Sequence, residues 1–264
     1  MNGDIEFDRI APVYDETRRA PTEEELAALS EVLSGSRTVL DAGVGTGRFA
    51  LPLHERHFDV VGVDLSLEMM RRAQAKGLGS LARADVRRLP LRDRAVDAVF
   101  SAHVLQLIPD PRAMLAELGR VARRVVVVEL PSWQERRDAT RWREVRERYR
   151  TLAAELGYPL PPRGARHWHT LEELTAIAPP KEVRTVPGPP ALSPNGEDGL
   201  HRWEARAYGT SRIPSEVHEE IVRRIRAEFP RSGPRTERIR AERFVAWEPA
   251  SLTAPTSRPS DGSA

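Results

Sequence analysis

An aspartate and three alternating glycines form the segment of this chain best suited to binding a ligand. Asp41 ends an apolar stretch, and Gly43, Gly45 and Gly47 follow at every second position. Glycine adopts backbone angles closed to other residues and lets the main chain approach a ligand without an intervening Cβ. Asp41 can accept a hydrogen bond from a cationic or hydroxylated group. The pattern predicts a loop, between a strand and a helix, that holds a nucleotide-like ligand.

The glycine spacing differs from that of dinucleotide-binding loops. Those loops carry G-x-G-x-x-G and place a pyrophosphate at the helix N-terminus. Here the position three after Gly45 is Arg48, and the negative charge of Asp41 would oppose phosphates. A ligand that carries an amino acid group and a sulfonium, but no phosphate, fits this acidic loop better.

Two more aspartates, Asp64 and Asp85, follow the next two predicted strands. Ligands of alternating strand–helix folds bind at the carboxyl ends of the parallel strands. We therefore expect Asp41, Asp64 and Asp85 to lie along one crevice. For Asp85 a second interpretation stays open, in which the carboxylate caps a helix or turn.

Strands and helices alternate along most of the chain. Strands are predicted at 38–41, 59–64, 81–84, 95–101, 124–130, 182–186 and 241–247, and helices at 22–34, 47–57, 66–76, 111–121, 170–177 and 214–229, with an arginine-rich helical stretch ending near 156. Thr22 and Glu25 have the spacing of a capping box at the first of these helices. The alternation predicts an α/β fold with a doubly wound, mainly parallel sheet.

At this point a family resemblance emerges. Residues Asp41–Gly47 resemble motif I of the class I S-adenosylmethionine-dependent methyltransferases. Val60–Met70 is similar to the second strand and helix of that family, Ala84–Leu91 to its third strand end and Ala95–Ser101 to its fourth strand. Phe7–Asp15 resembles the N-terminal signature of the type 11 branch, which includes the ubiquinone and menaquinone biosynthesis methyltransferases.

The resemblance implies a Rossmann-like, seven-stranded sheet with an antiparallel C-terminal hairpin and an inserted helical lid. We expect residues 1–130 to form an S-adenosylmethionine-binding core, with a helix at 7–20 covering the site. Residues 131–248 would supply the lid and the last two strands. Residues 249–264 have too little apolar content to pack, which predicts a disordered tail. One departure from the family is that residues 121–125 replace its usual Pro-Gly-Gly turn before the fifth strand.

The resemblance also implies a set of donor-binding residues. Asp64 would accept hydrogen bonds from the ribose hydroxyls, Asp85 from the exocyclic amine of adenine, and the main-chain amide of Val86 would face an adenine ring nitrogen. Met69 would either pack against adenine or fill the core, as buried methionines often do. The full set of expected donor contacts is Asp41, Ala42, Gly43, Gly45, Gly47, Asp64, Leu65, Met69, Asp85, Val86 and Ser101.

Two residues are candidates for the chemistry itself. His103 follows the fourth strand, and an imidazole that titrates near neutrality can act as a general base or orient the acceptor. The alternative is that His103 caps the following segment or contacts the donor. Tyr14 lies in the N-terminal signature and would wall the methyl-transfer channel or fill the core. Arg18 and Arg19 are expected on a solvated helix face, with an acidic substrate as the alternative partner.

Aromatic residues are numerous in the region of the expected lid. They can line a pocket for a planar acceptor or attach the lid to the sheet. His167 and His169 lack an identifiable third ligand, so no metal site is expected. The aromatic residues concerned are Trp133, Trp142, Trp168, Trp203 and Tyr208.

Composition narrows the class of protein. The 264 residues carry 41 basic and 39 acidic side chains, a net charge of +2, so nucleic acid is not favoured as a partner. The absence of cysteine excludes disulfides, thiolate zinc sites and a cysteine nucleophile. No apolar run approaches the roughly 18 residues of a membrane span, and the first residues lack a leader pattern. We expect a cytoplasmic monomer or homodimer.

These observations predict a methyltransferase that moves a methyl group from S-adenosylmethionine to an oxygen, nitrogen or carbon of a small molecule, with S-adenosylhomocysteine as the other product. Two alternatives stay open. One is a non-catalytic protein that binds S-adenosylmethionine or S-adenosylhomocysteine. The other is a nicotinamide-dependent oxidoreductase, which the missing G-x-G-x-x-G pattern disfavours.

Overall fold

A seven-stranded mixed sheet forms the centre of the computed structural model, which describes residues 7–133, 139–160, 167, 169–187, 213–229 and 240–253. Its strands are β1 Thr38–Ala42, β2 Asp59–Asp64, β3 Leu81–Arg83, β4 Val96–Ser101, β5 Ala122–Trp133, β6 Glu182–Pro187 and β7 Arg240–Trp247. Their order is β3-β2-β1-β4-β5-β7-β6. Strands β1 to β5 run parallel, whereas β7 pairs antiparallel with both β5 and β6. The predicted fold is confirmed.

Helices cover both faces of this sheet. They are α1 Phe7–Tyr14, α2 Glu23–Val32, α3 Ala50–Glu55, α4 Leu67–Ala75, α5 Pro111–Val121, α6 Ala139–Glu155, α7 Leu171–Ile177, α8 Ser215–Glu228 and α9 Pro249–Thr253. Leu29 of α2 and Leu53 of α3 are buried in a cluster on one face, and Leu115 of α5, Leu174 of α7 and Leu252 of α9 in a cluster on the other. Each fully buried leucine stabilises the fold by ~1.5–3 kcal/mol. Among the described residues, no helix combines the length and the apolar character of a membrane span.

Local sequence explains how several elements begin. Thr22 accepts a hydrogen bond from the main chain of Glu25, whose side chain accepts one from Thr22, which confirms the capping box of α2. Ser66 caps α4 through the amide of Met69, and Asp110 caps α5. The apolar run of β5 is buried at Val125–Val128, as befits a strand covered on both faces.

Four sequence-based boundaries need correction. The helix expected at 7–20 ends at Tyr14, because the chain continues as a short 3-10 turn at Asp15–Thr17 and is extended at Arg18. The helix predicted at 47–57 is limited to Ala50–Glu55, because residues 43–49 form the glycine loop and turns. β5 begins at Ala122, directly after α5, and continues to Trp133 because β7 pairs with it as far as that residue. The tail predicted as disordered from 249 instead starts with α9, whose Leu252 packs against Gly119 of α5; residues 254–264 lie outside the described part.

Two smaller clusters lie apart from the sheet. Ile10 and Ala11 of α1 pack against Met69 of α4, which fastens the N-terminal helix to the element after β2. Helices α6 and α8 form their own core, in which the Tyr149 hydroxyl and His218 Nδ1 are 2.6 Å apart. The helix pair α6–α8 therefore has an apolar core distinct from that of the sheet.

Candidate functional site

The glycine loop after β1 has the conformation that its sequence requires. Gly43, Gly45 and Gly47 have φ angles of +90°, +54° and +85°. A Cβ on Gly43 would lie 2.1 Å from the Cγ2 atom of Val104, so that glycine is required for packing. A Cβ on Gly45 would meet nothing within 4 Å. The loop is thus tightly packed on one side and open at Gly45.

Asp64 is bound directly to this loop. The amides of Gly43 and Val44 donate to the carbonyl of Val63 at 2.8 and 2.9 Å. The amide of Gly45 donates to Oδ2 of Asp64 at 2.9 Å, and that of Ser66 to Oδ1 at 2.8 Å. The carboxylate at the end of β2 therefore has a fixed orientation next to the loop after β1.

Asp41 and Asp64 make this strand edge acidic. Burial, assisted by the nearby charge of Asp64, raises the pKa of Asp41 to about 7. Burial also raises the pKa of Asp64, although the hydrogen bonds from Ser66 and Gly45 partly oppose that change. Asp41 is buried and Asp64 is half-buried, so these two carboxylates at adjacent strand ends disfavour each other's ionisation, and a cationic ligand would relieve this cost.

Asp85 and Met69 have clear structural partners. The Asp85 carboxylate accepts a hydrogen bond from the Arg87 amide at 2.9 Å and forms an ion pair with the Arg87 guanidinium at 2.6 Å, which holds the pKa of Asp85 below its usual range. In this structure the Asp85 carboxylate therefore caps a turn, which is the second of the two interpretations given for it. Met69 is 1% exposed in the cluster with α1, which corresponds to the core interpretation.

The remaining expected donor residues differ in environment. Ala42 is fully buried, and its carbonyl accepts a hydrogen bond from the Ser101 hydroxyl at 2.7 Å, which ties the ends of β1 and β4 together. Val86 is buried in the main core. Leu65 is 44% exposed, beside the ordered Asp64 carboxylate. The contact between Ser101 and Ala42 thus holds the ends of two neighbouring strands together, whereas Leu65 exposes an apolar side chain at the same edge of the sheet.

The N-terminal segment is bonded to the same loop and strand end. Asp8 accepts hydrogen bonds from the Ser66 hydroxyl at 2.5 Å and the Glu68 amide at 3.1 Å, and the first of these lowers the pKa of Asp8 most. Asp15 accepts from the Thr46 hydroxyl and from the Lys76 ammonium, each at 2.5 Å. The sequence motif contained both aspartates, but only the fold reveals what they bind.

His103 lies between an arginine and a glutamate. Its φ is +58°, a left-handed conformation uncommon for a residue with a side chain. Nε2 of His103 is 2.6 Å from Nη1 of Arg48, and Nδ1 is 3.2 Å from Oε2 of Glu129. Sequence reasoning found no carboxylate for this histidine. The available signal was Glu129 itself, a single acid at the end of the apolar run of β5, only 2% exposed.

Further buried charges adjoin this triplet. Arg48 also donates through Nε to the carbonyl of Arg19 at 2.7 Å. The Arg19 guanidinium is paired with Glu25 and lies 3.5 Å from Glu242 of β7. Glu25 and Glu242 are both buried. The solvated helix face expected for Arg19 is therefore wrong, because this side chain neutralises buried carboxylates.

Tyr14 belongs to the N-terminal cluster. Its ring packs, half-buried, against the Ile10, Ala11 and Met69 group, and the Arg18 guanidinium carbon lies 5.2 Å from the ring centroid. This favours a packing role for much of the ring. The side chains of Trp133 and Trp142, and residues Trp168, Trp203 and Tyr208, lie outside the described part of the chain.

His167 and His169 attach to the segment after β4. The His167 amide donates to the Gln106 carbonyl at 2.9 Å, and His169 Nε2 is 2.9 Å from the Ile108 carbonyl, to which it donates. Their rings stack with centroids 6.4 Å apart. Within the described ranges, no group of three or more His, Asp or Glu side chains has the arrangement of a metal site.

The central segment of the chain is similar to a known family of domains. Residues 40–127 match the type 11 model of the methyltransferase domain. The chain is similar to a ubiquinone/menaquinone biosynthesis C-methyltransferase of Syntrophotalea carbinolica, at 36% identity over 139 residues, which cover 47% of this chain and 59% of that one. It is also similar to a malonyl-[acyl-carrier protein] O-methyltransferase of Hamiltonella defensa, at 38% identity, with 32% of this chain and 33% of that one covered.

Solved structures share the fold. Phosphoethanolamine N-methyltransferase 2 of Haemonchus contortus, in complex with phosphomonomethylethanolamine and S-adenosylhomocysteine, has a TM-score of 0.54 and 16% identity, with 92% of this chain and 57% of that one covered. The chain thus spans between one third and three fifths of the relatives named here. Over residues 40–127 the chain is thus similar to the methyltransferase domains of the type 11 family.

Proposed function

We propose that the protein transfers the methyl group of S-adenosylmethionine to a small-molecule acceptor. The observation that carries this proposal is the meeting of the glycine loop, Asp41 and Asp64 at the carboxyl ends of β1 and β2. That edge is where folds of this type bind ligands. The family of residues 40–127 supplies the reaction class.

The residues present fit this donor. Two neighbouring carboxylates with raised pKa values, those of Asp41 and Asp64, suit a ligand that carries a sulfonium and an amine. Gly45 lets the main chain approach the ligand, because no side chain occupies the space next to its Cα. When bound, the donor supplies a methyl carbon already activated by positive sulfur, so that its S–C bond breaks as the bond to the acceptor forms.

We assign roles to the donor-side residues as follows. Each oxygen of Asp64 accepts one main-chain hydrogen bond and retains a lone pair for a ribose hydroxyl. Asp41 faces the positive part of the donor and becomes ionised beside it. The Val86 amide and the Asp85 carboxylate receive adenine, with Asp85 keeping its bond to Arg87. The protein's main contribution is orientation and exclusion of water.

On the acceptor side we assign His103 and Tyr14. His103 follows β4, next to the loop that would hold the methionine part of the donor. Tyr14 and the rest of α1 pack against Met69 of α4, and in this proposal they cover the acceptor side of the site. The relatives named above are C-, O- and N-methyltransferases, so they do not single out one acceptor atom. We therefore propose a small-molecule acceptor without naming the atom that is methylated.

Calorimetric titration with S-adenosylhomocysteine, beside NAD, tests the donor assignment. We expect binding of S-adenosylhomocysteine alone, lost in Asp64→Ala. Asp59→Ala is the matched control, because that exposed carboxylate pairs with Arg37 at the opposite end of β2. Binding of NAD instead, or equal binding in both variants, would overturn the assignment.

Methyl transfer is then measured with radiolabelled S-adenosylmethionine and a panel of amines, phenols and activated carbon acids. Turnover of any one of these confirms transfer and names the acceptor atom. Tight donor binding with no turnover across the panel would instead favour the non-catalytic binding protein.

A further inference from the structure

Arg48, His103 and Glu129 come from three different parts of the fold. Arg48 directly follows the glycine loop, His103 follows β4 and Glu129 lies in β5. Nη1 of Arg48 lies 2.6 Å from Nε2 of the imidazole, and Oε2 of Glu129 lies 3.2 Å from Nδ1. The side chain of His103 is 16% exposed and that of Glu129 is 1% exposed. Both ring nitrogens therefore have defined partners on opposite sides.

These partners determine where the imidazole proton resides. A guanidinium has only N–H donors and no acceptor, so Nε2 of His103 must accept from Arg48. Burial lowers the pKa of Arg48, but the adjacent Glu129 charge opposes this and the guanidinium remains protonated at neutral pH. The single proton of a neutral imidazole is then on Nδ1, which lies 3.2 Å from the Glu129 carboxylate. A doubly protonated ring would set an N–H of His103 against an N–H of Arg48.

We propose that Arg48 is a positioning residue that holds His103 as the neutral Nδ1–H tautomer, with its Nε2 lone pair engaged and therefore closed to the acceptor's proton. This inference rests on the proposed methyl transfer. It assigns His103 the role of a rigid wall of the acceptor site and not that of a general base. Glu129 is the second positioning residue, because its buried carboxylate lies 3.2 Å from Nδ1 and electrostatically favours a proton there.

The surroundings of Arg48 make this arrangement stiff. Its Nε donates to the Arg19 carbonyl at 2.7 Å, and its guanidinium carbon lies 4.9 Å from the centroid of the Phe49 ring. The planar guanidinium can donate to the Arg19 carbonyl and to His103 at the same time, whereas a lysine ammonium lacks this fixed fork of donors. Because Arg48 follows Gly47, the donor loop and His103 are mechanically linked through one side chain.

Nitrogen-15 NMR of the histidine rings reads the tautomer without any need for activity. We expect one imidazole at neutral pH with a protonated Nδ1 and a hydrogen-bonded, unprotonated Nε2, assigned to His103 by its absence in His103→Asn. Arg48→Met keeps the apolar part of the side chain but removes the donor to Nε2. In this variant the nitrogen-15 shift of Nε2 should move to the value of an unprotonated nitrogen without a hydrogen bond, or to that of a protonated nitrogen in the other tautomer. Arg37→Met, an exposed arginine before β1, should leave it unchanged. A protonated Nε2 in the unaltered protein would overturn the inference.

Turnover of His103→Asn separates positioning from proton transfer. Asparagine tolerates the left-handed backbone of this position and can donate to Glu129, but it has no basic nitrogen. We expect turnover to fall by no more than about tenfold, since loss of a general base costs roughly 10²- to 10⁴-fold. A loss in the larger range, with unchanged S-adenosylhomocysteine affinity, would make His103 the base. Failure of the proposed function appears separately, as absent donor binding in the unaltered protein.

Discussion

The main-chain amide of Gly45 donates a hydrogen bond to the Asp64 carboxylate across 2.9 Å. This contact joins the loop after β1 to the end of β2. It orients the carboxylate, and it fixes the loop at Gly45, where an added Cβ would meet nothing within 4 Å, unlike at Gly43 and Gly47. The two residues therefore act as one unit at the proposed donor site.

Replacement of Gly45 by alanine should abolish S-adenosylhomocysteine binding while the protein still folds. Its φ of +54° makes alanine strained by ~1–2 kcal/mol, and the new methyl group enters the open space beside the loop. Calorimetry and thermal unfolding measure the two effects. Gly77→Ala is the control, because Gly77 also has positive φ and nothing within 4 Å, but follows α4. Equal losses of affinity in both variants would contradict the prediction.

Donor affinity should rise with pH through the titration of Asp41. Its pKa is about 7 in the ligand-free fold, and a cationic donor favours the ionised form. Below pH 7, binding should therefore release a proton, and the observed heat should depend on the ionisation enthalpy of the buffer. Asp41→Asn should bind more weakly and lose most of this dependence. Buffer-independent heats at pH 6 in the unaltered protein would refute the assignment.

The same group predicts how stability depends on pH. Unfolded aspartate titrates near ~3.9, whereas folded Asp41 has a pKa of about 7, so the folded state holds the proton more tightly. The free energy of unfolding should fall as pH rises between these two values, and this contribution should level off above them. Denaturant unfolding across the range measures the slope, which Asp41→Asn should reduce.

The contact of Asp15 with the glycine loop should strengthen donor binding. Asp15→Ala removes the acceptor for the Thr46 hydroxyl and for Lys76. Since the pair is partly exposed, stability should change by less than ~1 kcal/mol, but affinity for S-adenosylhomocysteine should weaken by about three- to tenfold. Asp59→Ala removes another exposed ion pair and should leave affinity unchanged. Full affinity in Asp15→Ala would mean that α1 closes the site without this contact.

The helix pair α6–α8 should be destabilised independently of the donor site. Tyr149→Phe removes a buried hydroxyl that lies 2.6 Å from His218 Nδ1, at a cost of roughly 1–3 kcal/mol. Hydrogen exchange should accelerate in α6 and α8 but not in β1 and β2, with unaltered donor affinity. Tyr158→Phe, at an exposed tyrosine after α6, is the control. Faster exchange throughout the sheet would show that the two cores unfold together.

Local sequence was sufficient to predict the glycine loop and most of the elements around it. Alternating glycines after Asp41 require positive φ angles, and the structure has them at Gly43, Gly45 and Gly47. Hydrophobic runs and capping residues predicted α2, α4 and α5, because these signals act within a few residues of one another. The beginning of α3 was wrong, since the glycine loop extends further along the chain than the helical pattern indicated.

The sequence by itself thus determined the fold class and the carboxylates at the strand ends. Tertiary structure decided which side chains meet around His103. Arg48 and His103 are 55 positions apart, and Glu129 reaches the same imidazole only because β5 lies beside β4. Glu242 joins Arg19 because β7 enters the sheet between β5 and β6. Backbone requirements are local and visible in residue types, whereas pairing of buried charges depends on the order of the strands in space.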